Sequence, residues 1–165
     1  MKKTSIFLCM LLLLTLAMGC SSEEENSNKQ QNYLQTIAVS GCKNNIDPTN
    51  ASSSNRTSVF ETTEFVKYEG TEEGSLMIYH ENAQFSCEAK IETNVTINEN
   101  VICIIEKDVT PVTNCLCCYD LTMKIGPLEN KLYKIIICKN NEQGQYVNFS
   151  IDYNTTVKGE IKVEK

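Results

Sequence analysis

"FSCEAKIETNVTI", residues 85–97, alternates without a break. Phe85, Cys87, Ala89, Ile91, Thr93, Val95 and Ile97 take the odd positions, and Ser86, Glu88, Lys90, Glu92, Asn94 and Thr96 the even ones. A helix would repeat every 3.6 residues, whereas a two-residue period places one set on each face of a strand, one toward a core and one toward water. The same beat returns at Cys117, Tyr119, Leu121, Met123 and Ile125, and at Val147, Phe149, Ile151 and Tyr153. Apolar runs over 101–105 and 133–138 read as more deeply buried strands, and 59–68, 75–80 and 157–163 supply further β-rich pieces. Turn residues, Gly, Asn and Pro, punctuate 69–74, 98–100, 126–127 and 140–144. No window after the first 20 residues keeps a helical period. The expected fold is all-β, an immunoglobulin-like antiparallel β-sandwich of about eight strands formed by a single domain, residues 37–165.

Ahead of that domain the chain has a different character. Lys2 and Lys3 precede an apolar stretch over 6–16 that ends in Ala17-Met18-Gly19, the three-part layout of a secretory signal over residues 1–19. A membrane-spanning helix needs about 20 apolar residues, more than this run offers. Gly19 before Cys20 resembles the lipobox of bacterial lipoproteins, in which the signal is cut so that the cysteine becomes the first residue and carries acyl chains. Ala17 and Met18 depart from the commonest lipobox, which prefers Leu three residues before the cysteine. Two or more acyl chains, at about 0.8 kcal/mol per buried methylene, anchor a protein stably. Glu23, Glu24 and Glu25 resemble the acidic sorting signal of lipoproteins displayed on the outer face of the outer membrane in Bacteroidetes; the alternative is a solvated charge run. Residues 20–36 are mostly Ser, Asn, Gln, Glu and Lys with little to bury, which predicts a lipidated, acidic, flexible tether. The expected location is the cell envelope, lipid-anchored at the outer membrane and surface-exposed.

The 15 basic residues less Lys2 and Lys3 leave 13 against 21 acids, a formal charge of −8 on the exported part. Nucleic acid and anionic lipid headgroups call for a basic surface, so no nucleic-acid partner is expected. Of the nine cysteines, Cys9 leaves with the leader and Cys20 is the anchor; Cys42, Cys87, Cys103, Cys115, Cys117, Cys118 and Cys138 remain in the domain as disulfide candidates. An exported domain oxidises its thiols, and seven gives up to three bridges with one cysteine over, in 105 possible arrangements.

Three of those thiols fall within four residues, in "NCLCCYDLTMKIGPLENKLYKI", residues 114–135. Cys115 and Cys118 have C-x-x-C spacing, but a thioredoxin-type site sets that pair at a helix N-terminus, and here residues 117–125 alternate as a strand. Cys115 and Cys117 with Cys87 and His80 would supply the four N/S ligands that structural zinc prefers, although Cys-x-Cys lacks the loop usual between zinc ligands. In the structural reading, Cys87 shares the inward parity of Cys115 and Cys117 and bridges to one of them across the core, and His80 is an ordinary strand-end histidine. Catalytic inventories are poor: there is no G-x-S-x-G, no histidine pair, no phosphate loop, and no spacing that singles out two carboxylates. No enzymatic activity, cofactor or bound metal is expected.

"SGCK" at 40–43, "HENAQFSC" at 80–87 and "CLCCYDLTMKIGPL" at 115–128 together resemble a family of cysteine-rich Bacteroidetes lipoproteins, over about residues 41–137. The resemblance implies an all-β sandwich and carries over no catalytic residues. Cys118 stands where that family often has proline. Lys131 stands where it has a turn glycine, which leaves Asn130 to adopt positive φ. The reading is a non-catalytic binding, adhesion or accessory module for a protein or glycan; the alternative is a thiol-based metal-binding or redox protein centred on Cys115–Cys118.

Overall fold

A computed structural model describes residues 33–43, 62–110, 113–140 and 144–164; the leader, Cys20 and Glu23–Glu25 lie outside them. The described chain is all β, nine strands in two packed sheets. β1 (Leu34–Val39), β6 (Leu116–Ile125), β3 (Leu76–Ser86), β2 (Phe65–Gly70) and β9 (Lys158–Lys162) form one sheet in that spatial order. β4 (Ile91–Asn98), β5 (Val101–Asp108), β7 (Leu132–Lys139) and β8 (Gln145–Asp152) form the other. The two sheets face each other across one apolar layer containing Ile78, Ile102, Ile104, Leu121, Met123, Ile125, Ile135 and Ile137, all fully buried. Each such side chain contributes about 1.5–3 kcal/mol on leaving water.

The alternating stretch at 85–97 is two strands rather than one. β3 ends at Ser86 in the first sheet and β4 begins at Ile91 in the second, and the chain reverses between them with Glu88 at φ 61°. The connection is four residues long, an even number, so the two-residue phase survives the crossing: Phe85, Cys87, Ile91 and Val95 are all buried. Tyr119 staples the reversal, its hydroxyl donating to the Ser86 carbonyl and accepting the Ala89 N–H, both at 3.1 Å.

β3 also runs past His80, where the sequence suggests an end. A bulge with Asn82 at φ 59° resets the register against β6 between His80 and Ala83, so His80 and Phe85 both point inward although their numbers differ in parity. β1 starts at Leu34, inside the stretch expected to be tether, and pairs along β6. Six of the seven strand pairings are antiparallel; β5 and β7 run parallel, because the chain leaves for the other sheet as β6 before it returns. Among the described non-glycine residues, positive φ falls at Asn82, Glu88, Glu99 and Asn140, not at Asn130. The 126–131 connection turns instead at Gly126 and a cis Gly126-Pro127 bond.

Candidate functional site

Two inward-facing rows of the sandwich end in charge. On β3 the row Leu76, Ile78 continues to His80, and on β5 the row Ile102, Ile104 continues to Glu106; both polar side chains are fully buried. Glu64, one residue before β2, is 1% exposed and joins them. The His80 Nε2–H donates to Glu64 Oε1 at 2.7 Å, and its Nδ1–H donates to Glu106 Oε1 and Oε2 at 2.8 and 2.9 Å. Glu64 also accepts from Lys139 Nζ at 3.0 Å and from the Tyr146 hydroxyl at 2.7 Å. Lys139, at the end of β7, lies 3.9 Å from the Tyr146 ring centroid and 5.1 Å from that of Phe85. Its charge therefore rests on aromatic faces as well as on the carboxylate.

With a carboxylate at each ring nitrogen, His80 is held as the imidazolium. Burial by itself would lower its pKa, but the Glu106 charge and the hydrogen bonds to both carboxylates raise it to about 9. Burial would likewise raise the pKa of Glu64, yet the hydrogen bond from His80, the Lys139 charge and the Tyr146 hydroxyl bring it down to about 2. Tyr146 is pushed above the ordinary phenol range, by burial and then by the Glu64 carboxylate. Two cations and two anions cancel, which is how four ionisable groups remain inside a sandwich without a net charge. The arrangement leaves no ring lone pair on His80 for proton abstraction or metal ligation, so its chemistry is that of a bolt between the sheets.

The cysteines gather elsewhere, at the β3–β4 reversal and the start of β6. Cys42 is bonded to Cys117 and Cys87 to Cys115, with Cα separations of 5.6 and 5.3 Å. Cys115 is thus one of the two partners expected for Cys87. The bond does not cross the core, however: it joins the end of β3 to the start of β6, neighbours in one sheet, beside the Cys87 N–H bond to the Cys115 carbonyl at 3.0 Å. Cys118 is buried next to Cys117, and Cys103 and Cys138 lie on β5 and β7, outside both bridges. Cys42, Cys87 and Cys115 line a cleft of about 630 Å³ with Ser40, Glu88 and Tyr119.

The four residues of the possible zinc set do not converge. Cys87, Cys115 and Cys117 are bridged, and both His80 nitrogens face carboxylates. His80 is not a strand-end residue but the centre of the buried network. Glu64, Lys139 and Tyr146 carry no signal in the sequence that marks them for this network; the signal for Glu106 is its place one beat beyond Ile104 on the inward row. In comparisons with protein families, curated proteins and solved structures, the chain finds no match.

Proposed function

We propose that this chain is a lipid-anchored protein of the cell envelope, acylated at Cys20 and displayed on the outer membrane as a member of the cysteine-rich lipoprotein family it resembles. Its immunoglobulin-like sandwich serves as a non-catalytic binding, adhesion or accessory module for an extracellular or periplasmic protein or glycan. The observation that carries the non-catalytic part is the position of the chain's single histidine: fully buried, with a carboxylate on each ring nitrogen. The imidazole that Ser or Cys triads rely on is committed here to holding two sheets together. Two disulfides support an oxidising compartment.

Fractionation of cells expressing the wild type and Cys20→Ala tests the anchoring. The wild type is expected in the membrane fraction with incorporated palmitate, and the variant released or left with its leader attached; a membrane-bound, acylated Cys20→Ala product overturns the reading. Replacing Glu23, Glu24 and Glu25 with alanine is expected to hide the domain from external protease, and unchanged cleavage reduces those acids to a solvated tether. Turnover of a panel of glycans, esters or peptides by the purified protein would overturn the non-catalytic part.

A further inference from the structure

Three of the four bridged sulfurs border one open cleft, and the two bridges differ in what stands behind them. Cys115 is half-buried and Cys87 is 9% exposed, and both line the cleft. In the other bridge Cys42 lines the cleft while Cys117 is fully buried in the apolar core. Thiol–disulfide exchange needs a thiolate at one sulfur and expels the other as a thiolate. Both leaving sulfurs belong to the buried cluster, but Cys117 is fully enclosed by it, whereas Cys87 also lines the cleft, so a thiolate expelled there sits at the cleft wall rather than wholly within the core.

We propose that this cleft is a thiol–disulfide exchange site at which an uncharged dithiol selectively reduces Cys87–Cys115 and leaves Cys42–Cys117 intact. The dithiol's thiolate attacks Cys115 Sγ, the Cys115–Cys87 bond breaks, and Cys87 leaves as a thiolate that takes a proton. The dithiol's second thiolate then attacks its own sulfur in the mixed disulfide and expels Cys115, which takes the second proton. The net change is one protein disulfide reduced to two thiols and one dithiol oxidised to a disulfide. Glu88, which lines the cleft on the left-handed turn beside Cys87, sets the preference for an uncharged partner, since its carboxylate repels an anionic thiol. Tyr119, bonded to Ser86 and Ala89, holds the reversal in place while the bridge is open.

The test uses the full chain as the cell makes it. The protein is exposed to increasing dithiothreitol, samples are quenched with acid and alkylated, and each cysteine is read by peptide mass spectrometry while near-ultraviolet circular dichroism follows the fold. The expected result is opening of Cys87–Cys115 at least about tenfold faster than Cys42–Cys117, first order in dithiol and without loss of the folded signal. Equal rates for the two bridges overturn the proposal, as does a rate that saturates with dithiol and tracks unfolding. Per thiolate, anionic 3-mercaptopropionate should open the bridge about threefold more slowly than 2-mercaptoethanol at low salt, and Glu88→Gln should remove that difference. A difference that persists in Glu88→Gln removes Glu88 from the site.

Discussion

The two bridges join neighbouring strands within the five-stranded sheet, whereas the buried chain from Glu64 through His80 to Glu106 passes from that sheet to the four-stranded one. One fastening is covalent and lies beside an open cleft; the other is ionic and has no exposed face on its histidine. They act on different states of the chain. A disulfide stabilises mainly by restricting the unfolded ensemble: in the chain-entropy account, loops of 75 and 28 residues correspond to about 4.5 and about 3.6 kcal/mol. The two loops are nested, so these figures do not add. The ionic chain acts on the native state, where desolvation and pairing nearly cancel and the cost appears only when one partner is taken away. Reductant therefore addresses one fastening and pH the other.

The strongest attack on that contrast is His80→Leu. It orphans Glu106 inside the core, and the unfolding free energy is expected to fall by about 3–5 kcal/mol in a denaturant titration. A loss under about 1 kcal/mol would mean that water reaches the carboxylates and the bolt between the sheets is not dry. Next comes Cys42→Ser, expected to cost roughly 2–4 kcal/mol and to lower the midpoint equally at about pH 5 and about pH 8. Cys87→Ser should cost somewhat less, because its loop is shorter, while keeping the β-type circular dichroism. A pH-dependent loss in either cysteine variant would show that the two fastenings are coupled.

The pH profile itself comes third. The pKa of His80 is raised to about 9, so its contribution is complete below about 6.5 and is lost as pH climbs through 9. That of Glu64 is lowered to about 2, so its contribution is complete above about 4.5 and is lost as pH falls toward 2. Stability should therefore plateau between about pH 4.5 and 6.5 and decline on the alkaline side with a slope of up to about 1.4 kcal/mol per pH unit, one proton's worth. His80→Leu should flatten the alkaline limb; an unchanged limb assigns it to another group. The smallest effect is Tyr146→Phe, which removes one of the hydrogen bonds to Glu64 and should cost about 1 kcal/mol at about pH 6, read from the same denaturant curves.

The strand rhythm is legible because alternation is a local property. Each inward residue in 117–125 announces its neighbour's direction, and Cys117, Tyr119, Leu121, Met123 and Ile125 are all buried. What is decided by partners distant in the chain is not legible. Nothing near 101–108 says that β5 will lie parallel to β7, and nothing near Glu64 says that a cation 75 residues away will meet it. The charged cluster is hidden by the default that charged residues belong in water, which ends the apolar run at Ile105, just before its decisive member. The break in 85–97 is silent because an even-numbered turn preserves phase, and the extension of β3 is silent because a bulge shifts it. Among the cysteines, parity narrows the choice for Cys87 to two partners and geometry makes it Cys115, but the Cys42–Cys117 bond rests on β1 lying beside β6, a placement with no local signature.

That same placement of β1 sets a problem in time. A chain made from its amino end presents Leu34–Val39 first and the strand that pairs with it, Leu116–Ile125, only after four others. Cys87 is made before Cys115 or Cys117, while the finished pairs are nested, 42 with 117 around 87 with 115. Oxidation strictly in order of appearance would join Cys42 to Cys87, so the nested pairs belong to a chain whose bonds form, or are exchanged, after β6 is in place.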